Sequence, residues 1–408
     1  MLGTLMAAQL FVPAYPDAHP AVAAAPARTA PPRVGRPVSP AQSFGDAAYH
    51  RGDFDAAQSA YATALAADPN DANALLGLGT IDLYSGKLDE ARTYLGEAAR
   101  RDPGDTRATQ TLRALERLEP KPGDMQIAMA PKVEIPFVVT DPLPMIRATI
   151  DGRPATLVVD TGATTIALSA AAAKRIGVDL RPAGEGVFAG GRTARVFAGR
   201  IESIAFPGLT VRGIPASGLP AAMPASLGGH RFDGIIGTTM LRAFLATLDY
   251  RENRLILRPR SASAAFEQDA TERGDAVVPM WLVPDHFIFV RARVNETFDG
   301  LFSVDTGGAG VGITLADDVL SAAHVVPDRS KAFRGAGGGG EVLLEPFTAR
   351  SVSVGHYTRR DVPGVYSPAG QPYGIFPFAV SGAISHQFFR DAAVSFDFDA
   401  MKMVVTSR

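Results

Sequence analysis

Cysteine is absent from the 408 residues. That excludes disulfides, thiolate zinc sites, iron–sulfur clusters, cysteine nucleophiles and lipoprotein lipidation. Charge of one sign is also lacking: Lys+Arg is 40, Asp+Glu is 42 and the formal net charge is -2. With no basic run, a nucleic-acid partner is not expected. No apolar run approaches the ~20 residues of a transmembrane helix, so no stable span is expected. The seven histidines show no H-E-x-x-H pattern and no close pairing, which argues against a metal site. No serine sits in G-x-S-x-G. Gly335, Gly337 and Gly340 satisfy G-x-G-x-x-G, but Glu341-Val342-Leu343-Leu344 reads as a strand, not as a helix opening on a phosphate. No cofactor is expected.

What the chain does contain can fill cores: 46% of it is hydrophobic. Its length suggests two or three domains at ~150 residues each, and 41 Gly with 31 Pro favour a turn-rich β body. Residues 2–12 (LGTLMAAQLFV) have the length of a signal-peptide core, and small residues from Ala14 to Ala25 follow. No Lys or Arg precedes Arg28 to supply the positive flank. The expectation is export, periplasmic or secreted, with the cytoplasm as the alternative. Up to residue 40 the composition is Ala/Pro-rich and reads as a linker.

Residues 41–118 repeat with a period of 34. Gly45 falls on Gly79, Gly52 on Gly86, Ala57 on Ala91, Ala64 on Ala98 and Asp68-Pro69 on Asp102-Pro103, while Tyr61 falls on Leu95. Small residues at helical spacing let two antiparallel helices approach, and Gly52 and Gly86 end the first helix of each pair. These positions resemble the tetratricopeptide repeat, which implies α-helical hairpins and a partner- or peptide-binding role. A plain spacer is the equal alternative. Asp82 stands where that family usually has an aromatic. Two copies plus a capping helix fall below the three repeats usual for stable stacking, so a neighbouring domain or a partner is expected to cover the exposed face.

After a linker at 119–133, β-branched residues and Gly turns take over, and a second duplication appears. Leu157-Val158-Val159-Asp160-Thr161-Gly162-Ala163 matches Leu301-Phe302-Ser303-Val304-Asp305-Thr306-Gly307-Gly308. Each follows a hairpin signal, at Asp151-Gly152 and at Asn295-Glu296. Downstream, Ile235-Ile236-Gly237 matches Ala383-Ile384-Ser385, and each half closes with a hairpin, after Asp249 and after Asp397. One Asp-Thr-Gly is weak evidence; two with matching surroundings are far harder to obtain by chance.

The arrangement resembles the aspartic proteases, both pepsin-like and retroviral. The resemblance covers about residues 134–408 and implies an all-β fold of two lobes, 134–262 and 275–408, sharing one site. It implies Asp160 and Asp305 as the catalytic pair, with Thr161 and Thr306 locking the turns and Gly162 and Gly307 allowing close approach. Ile236, Gly237, Ile384 and Ser385 would support the loops. Gly-rich flaps would lie at Ala189, Gly190 and Gly191 and at Gly337 and Gly338. The substrate would be an extended polypeptide, and both lobes lie in one chain, so the site would be complete in a monomer.

Two carboxylates within ~3 Å cannot both ionise, so they share a proton. The ionised oxygen takes a proton from water, and the protonated partner donates to the carbonyl under attack. Three departures keep a rival open, a non-catalytic peptide-binding scaffold on the same fold. Ser385 replaces a glycine, Gly308 replaces Ala or Ser, and the second flap is nearly all glycine. Together they suggest a second lobe drifting toward a supporting or inactive role; the retained pair Asp160 and Asp305 favours activity. His386, next to Ser385, reads as a surface or supporting residue. Trp281, Phe287 and Phe289 read as lobe core.

Overall fold

A computed structural model describes residues 39–118, 125–187, 193–220, 223, 226–337, 340–370 and 372–407. The signal-like segment lies outside them.

Five helices come first: α1 (Pro40–His50), α2 (Phe54–Ala67), α3 (Ala72–Tyr84), α4 (Leu88–Arg101) and α5 (Thr106–Leu118). Side-chain caps start four of them, from Ser39, Asp53, Asp71 and Asp105, each satisfying a free N–H of the first turn. Gly52 and Gly86 both have φ of +72°, the left-handed conformation that lets α1 and α3 stop and their partners turn back. Packing repeats at the same period. A Cβ on Gly45 would lie 2.8 Å from the Tyr61 ring, and one on Gly79 2.7 Å from Leu95 Cγ. Asp82, at the usual aromatic position, is buried but accepts a hydrogen bond from Gln58 Nε2 at 3.0 Å and lies 3.7 Å from Lys87 Nζ.

The β body starts inside the expected linker. Strand Gln126–Met129 pairs with Leu209–Gly218, and Val133–Val139 enters the sheet directly after it. The two halves then repeat one plan. Met145–Ile150 and Arg153–Val159 form a hairpin, as do Phe287–Val294 and Phe298–Asp305. Their turns carry paired left-handed residues, Asp151-Gly152 in a two-residue loop and Asn295-Glu296 in a three-residue loop that Thr297 completes. A short strand then inserts parallel to the second arm of each hairpin: Gly234–Ile236 beside Arg153–Val159, and Gly382–Ser385 beside Phe298–Asp305.

The halves do not close separately. Leu245–Asp249 pairs antiparallel with Ala393–Asp397, so a 14-stranded sheet runs from the second half into the first. Thr247 Oγ1 and Ser395 Oγ meet across this seam at 2.8 Å. Helix Ser263–Arg273 connects the halves.

The face left open by the short repeat array is covered by the second lobe. Phe54 packs edge-on against Trp281 (5.3 Å between ring centroids) and Phe378 (5.0 Å), and Tyr49 and Tyr84 join the cluster. Ala379 N–H donates to His50 O at 2.7 Å. Gly52 sits so close that a Cβ would lie 2.9 Å from Leu301 and 3.0 Å from Ala379 O. Trp281, Phe287 and Phe289 therefore belong to one apolar core with the helices, not to a core private to the lobe. Phe54→Ala should cost about 3–5 kcal/mol and lower the melting of helices and β body together. Separate transitions in calorimetry, with only the helical one shifted, would contradict this shared core.

Candidate active site

Each hairpin arm ends in an Asp-Thr-Gly turn: Asp160 directly follows Arg153–Val159, and Asp305 closes Phe298–Asp305. The turns meet back to back. Thr161 N–H donates to Thr306 Oγ1 at 3.0 Å, and Thr306 N–H donates to Thr161 Oγ1 at 3.1 Å. Each hydroxyl then donates across the seam, Thr161 to Val304 O at 2.8 Å and Thr306 to Val159 O at 2.9 Å. Both threonines are fully buried, and these bonds satisfy their backbone N–H and hydroxyl donors.

The grip brings the carboxyl groups into hydrogen-bonding contact with each other. Gly162 N–H donates to Asp160 Oδ1 at 2.8 Å, and Gly307 N–H to Asp305 Oδ1 at 2.9 Å. Only glycine fits at these two positions: a Cβ on Gly162 would lie 2.6 Å from Asp305 Cγ, and one on Gly307 would run into the Asp160 carboxylate. Asp160 is 1% exposed and Asp305 3%. Burial pushes Asp160 up to about 6, opposed by N–H groups of Gly162, Ala163 and Gly307 and by the hydrogen bond from Asp305. Burial, and then the charge of Asp160, hold Asp305 well above the usual carboxylate range, opposed by the Gly307 N–H. Backbone N–H donors at Asp160 favour its ionised form, and the two carboxyl groups titrate as one pair.

The support residues lie where the duplication puts them. Asp160 N–H donates to Ile236 O at 3.0 Å, and Thr238, after Gly237, donates through Oγ1 to Thr161 O at 2.8 Å. In the second lobe Ile384 pairs with Val304, and Ser385 with Asp305. Gly337 ends a strand, Phe333–Gly337, that forms a hairpin with Gly340–Val354. Ala189, Gly190, Gly191 and Gly338 lie outside the described residues. Among the described residues no group of His, Asp and Glu could hold a metal ion.

Gly308 and Ser385 read differently in three dimensions than in sequence. In the first lobe the loop residue Ala163 has a side chain and its neighbour Gly237 has none; a Cβ on Gly237 would lie 2.5 Å from Ala163 O. In the second lobe the assignment is reversed. A Cβ on Gly308 would collide with Ser385 Oγ and lie 2.9 Å from Ser385 Cβ. In the second lobe the two departures are coupled: the Ser385 side chain occupies the space that a side chain at 308 would need. His386 is not at the surface: it is 1% exposed. Sequence reasoning missed Tyr250, a buried phenol whose ring lies 6.2 Å from that of His386. Its only signal was its place directly after the closing-hairpin aspartate Asp249.

Comparison with known proteins agrees with the geometry of the first lobe. The family model for aspartyl proteases matches residues 146–240, which contain Asp160, Thr161, Gly162, Ile236 and Gly237. That for the tetratricopeptide repeat matches residues 48–115. Among solved structures, a retropepsin-like aspartic protease from Rickettsia conorii is 17% identical over 33% of this chain and 93% of its own, with a TM-score of 0.23. Basic 7S globulin from soybean is 11% identical over 70% of this chain and 95% of its own, with a TM-score of 0.40. No curated protein matches the chain.

Gly308→Ala alone should cost about 1–3 kcal/mol through overpacking, and adding Ser385→Gly should recover most of it. A double-mutant cycle in denaturant measures the coupling, and additive effects would refute it. The dyad supplies a second prediction. The folded pair binds protons more tightly than the unfolded chain, so the parent loses stability as pH rises from about 4 through the raised folded values. Asp305→Asn removes much of that loss. The variant should melt higher than the parent at pH 7, with the gain shrinking toward pH 4 in parallel melting scans.

Proposed function

We propose that the β body is an aspartic endopeptidase, with the helical repeats serving protein recruitment. The observation that carries this reading is the buried carboxyl pair held by reciprocal threonine bonds. A threonine grip of this kind fixes two acids at a separation where one proton is shared, which is the state needed to activate water without a metal or a covalent nucleophile.

In this mechanism a water lies between the two carboxyl groups. Asp160, the better solvated by backbone N–H groups, takes a proton from the water as its oxygen attacks the peptide carbonyl. Asp305 gives its proton to the developing oxyanion. Collapse of the tetrahedral intermediate passes the proton held by Asp160 to the leaving nitrogen and returns one from a diol hydroxyl to Asp305, so the pair ends with one proton as it began. The two groups titrate as a unit, and the raised values shift the singly protonated window upward from that of ordinary carboxylic acids. Cleavage that extends toward neutral pH is therefore expected. The substrate is an extended polypeptide lying across both loops. The turn ends of the repeats are occupied by the second lobe, so recruitment would use the remaining surface of the helices.

The test is cleavage of a diverse peptide pool by the full chain across pH 3–8. Asp160→Asn and Asp305→Asn should each lower kcat by about 10²–10⁴-fold, the scale of a lost acid or base. A folded parent that binds peptides and cuts none would favour the non-catalytic scaffold instead.

A further inference from the structure

The two lobes differ at the residue after the loop support. In the first lobe Thr238 donates to the Thr161 carbonyl within its own lobe. Its counterpart His386 opens the turn His386–Phe389 and points across the seam. Its Nε2 accepts from Gly310 N–H at 3.2 Å, just past the Asp305 turn. Its ring is also in hydrogen-bonding reach of Pro142 O in the first lobe, and Pro142 O accepts from the same Gly310 N–H at 3.2 Å. One face of the imidazole packs toward Tyr250, which stacks on Phe137, both from the first lobe. The next residue continues the seam: Gln387 Nε2 donates to Asp141 Oδ1 at 3.0 Å.

We propose that His386 is a positioning residue, fixing the Asp305 loop against the first lobe as a neutral imidazole. The inference rests on the peptidase reading for its kinetic consequence, but not for its structural one. An imidazole that accepts from a backbone N–H has a lone pair at Nε2 and cannot be protonated there without losing that bond. Protonation would set two donors, Gly310 N–H and Nε2–H, against each other and bury a charge in the seam. The titratable and charged groups around it offer little to hold that charge. Tyr250 lies against the ring with its hydroxyl lacking a protein partner, and the Asp160 charge acts on that phenol. Asp141 is engaged with Gln387. Arg359, paired with Asp391 at 3.1 Å, donates to the Gln387 and Phe388 carbonyls. Burial pushes His386 down to about 4, with the bond to Pro142 O opposing.

Two kinds of measurement test this. In the unmodified chain, NMR titration should show His386 neutral through pH 5, and the Gly310 amide should be protected from hydrogen exchange. In His386→Thr, which installs the residue of the first lobe, that amide keeps only Pro142 O as acceptor and should exchange roughly 2–10-fold faster, the scale of one lost hydrogen bond. Cleavage by His386→Thr should show kcat reduced ~10-fold on the same scale with KM little changed. His386→Gln, whose Oε1 can accept from Gly310 N–H without titrating, should restore kcat and remove any loss of rate that sets in as the histidine protonates. A His386 titration near the ordinary 6.5, or unchanged Gly310 exchange in the Thr variant, would overturn the proposal. Should the parent cut no peptide, the peptidase reading fails while the titration and exchange results still decide the placement. Should the parent cut and both variants cut equally well, the positioning role alone fails.

Discussion

The threonine pair sets the terms for the rest of the structure. Two loops from different lobes can be held at carboxyl contact only if their backbones touch, and backbones that touch must exchange their own donors. Thr161 and Thr306 do this reciprocally, each filling the N–H of the other and then anchoring its hydroxyl in the opposite strand. Bulk is forbidden on both sides of the contact, hence Gly162 and Gly307. Strands must arrive in matching register from both halves, hence the duplicated hairpins. A platform that cannot splay must lie under both lobes, and the continuous sheet through Leu245–Asp249 and Ala393–Asp397 supplies it.

Within this near-symmetry the differences are placed with some economy. One lobe has a side chain at 163 and none at 237; the other has one at 385 and none at 308. The local support of Thr238 is exchanged for a cross-seam histidine. Backbone donors converge on Asp160 more than on Asp305. None of these breaks the dyad. Together they make its two halves inequivalent.

Much of this was legible in the chain. The period of 34 set out the helical hairpins because glycine and alanine must recur where helices touch. The paired Asp-Thr-Gly turns marked the site because both the grip and the carboxyl contact depend on residue identity within a few positions. Long-range packing was less legible. Trp281, Phe287 and Phe289 carry the composition of any core, and nothing local says that the other half of that core is Phe54, some 230 residues earlier. Strand Gln126–Met129 looked like a linker because its residues are mostly exposed at a sheet edge, where apolar alternation is not enforced. The Gly308 and Ser385 coupling was hidden because two departures 77 residues apart look independent until they are seen to share one space.

The support strand Gly382–Ser385 has a consequence for how the protein comes into being. Synthesis runs from the repeats toward this strand, and Asp305 is made long before the element that braces it. The first loop, with Gly234–Ile236 beside it, can order early; the second waits for nearly the whole chain to leave the ribosome. A polypeptide interrupted between Asp305 and Gly382 carries both aspartates but lacks the strand that braces the second.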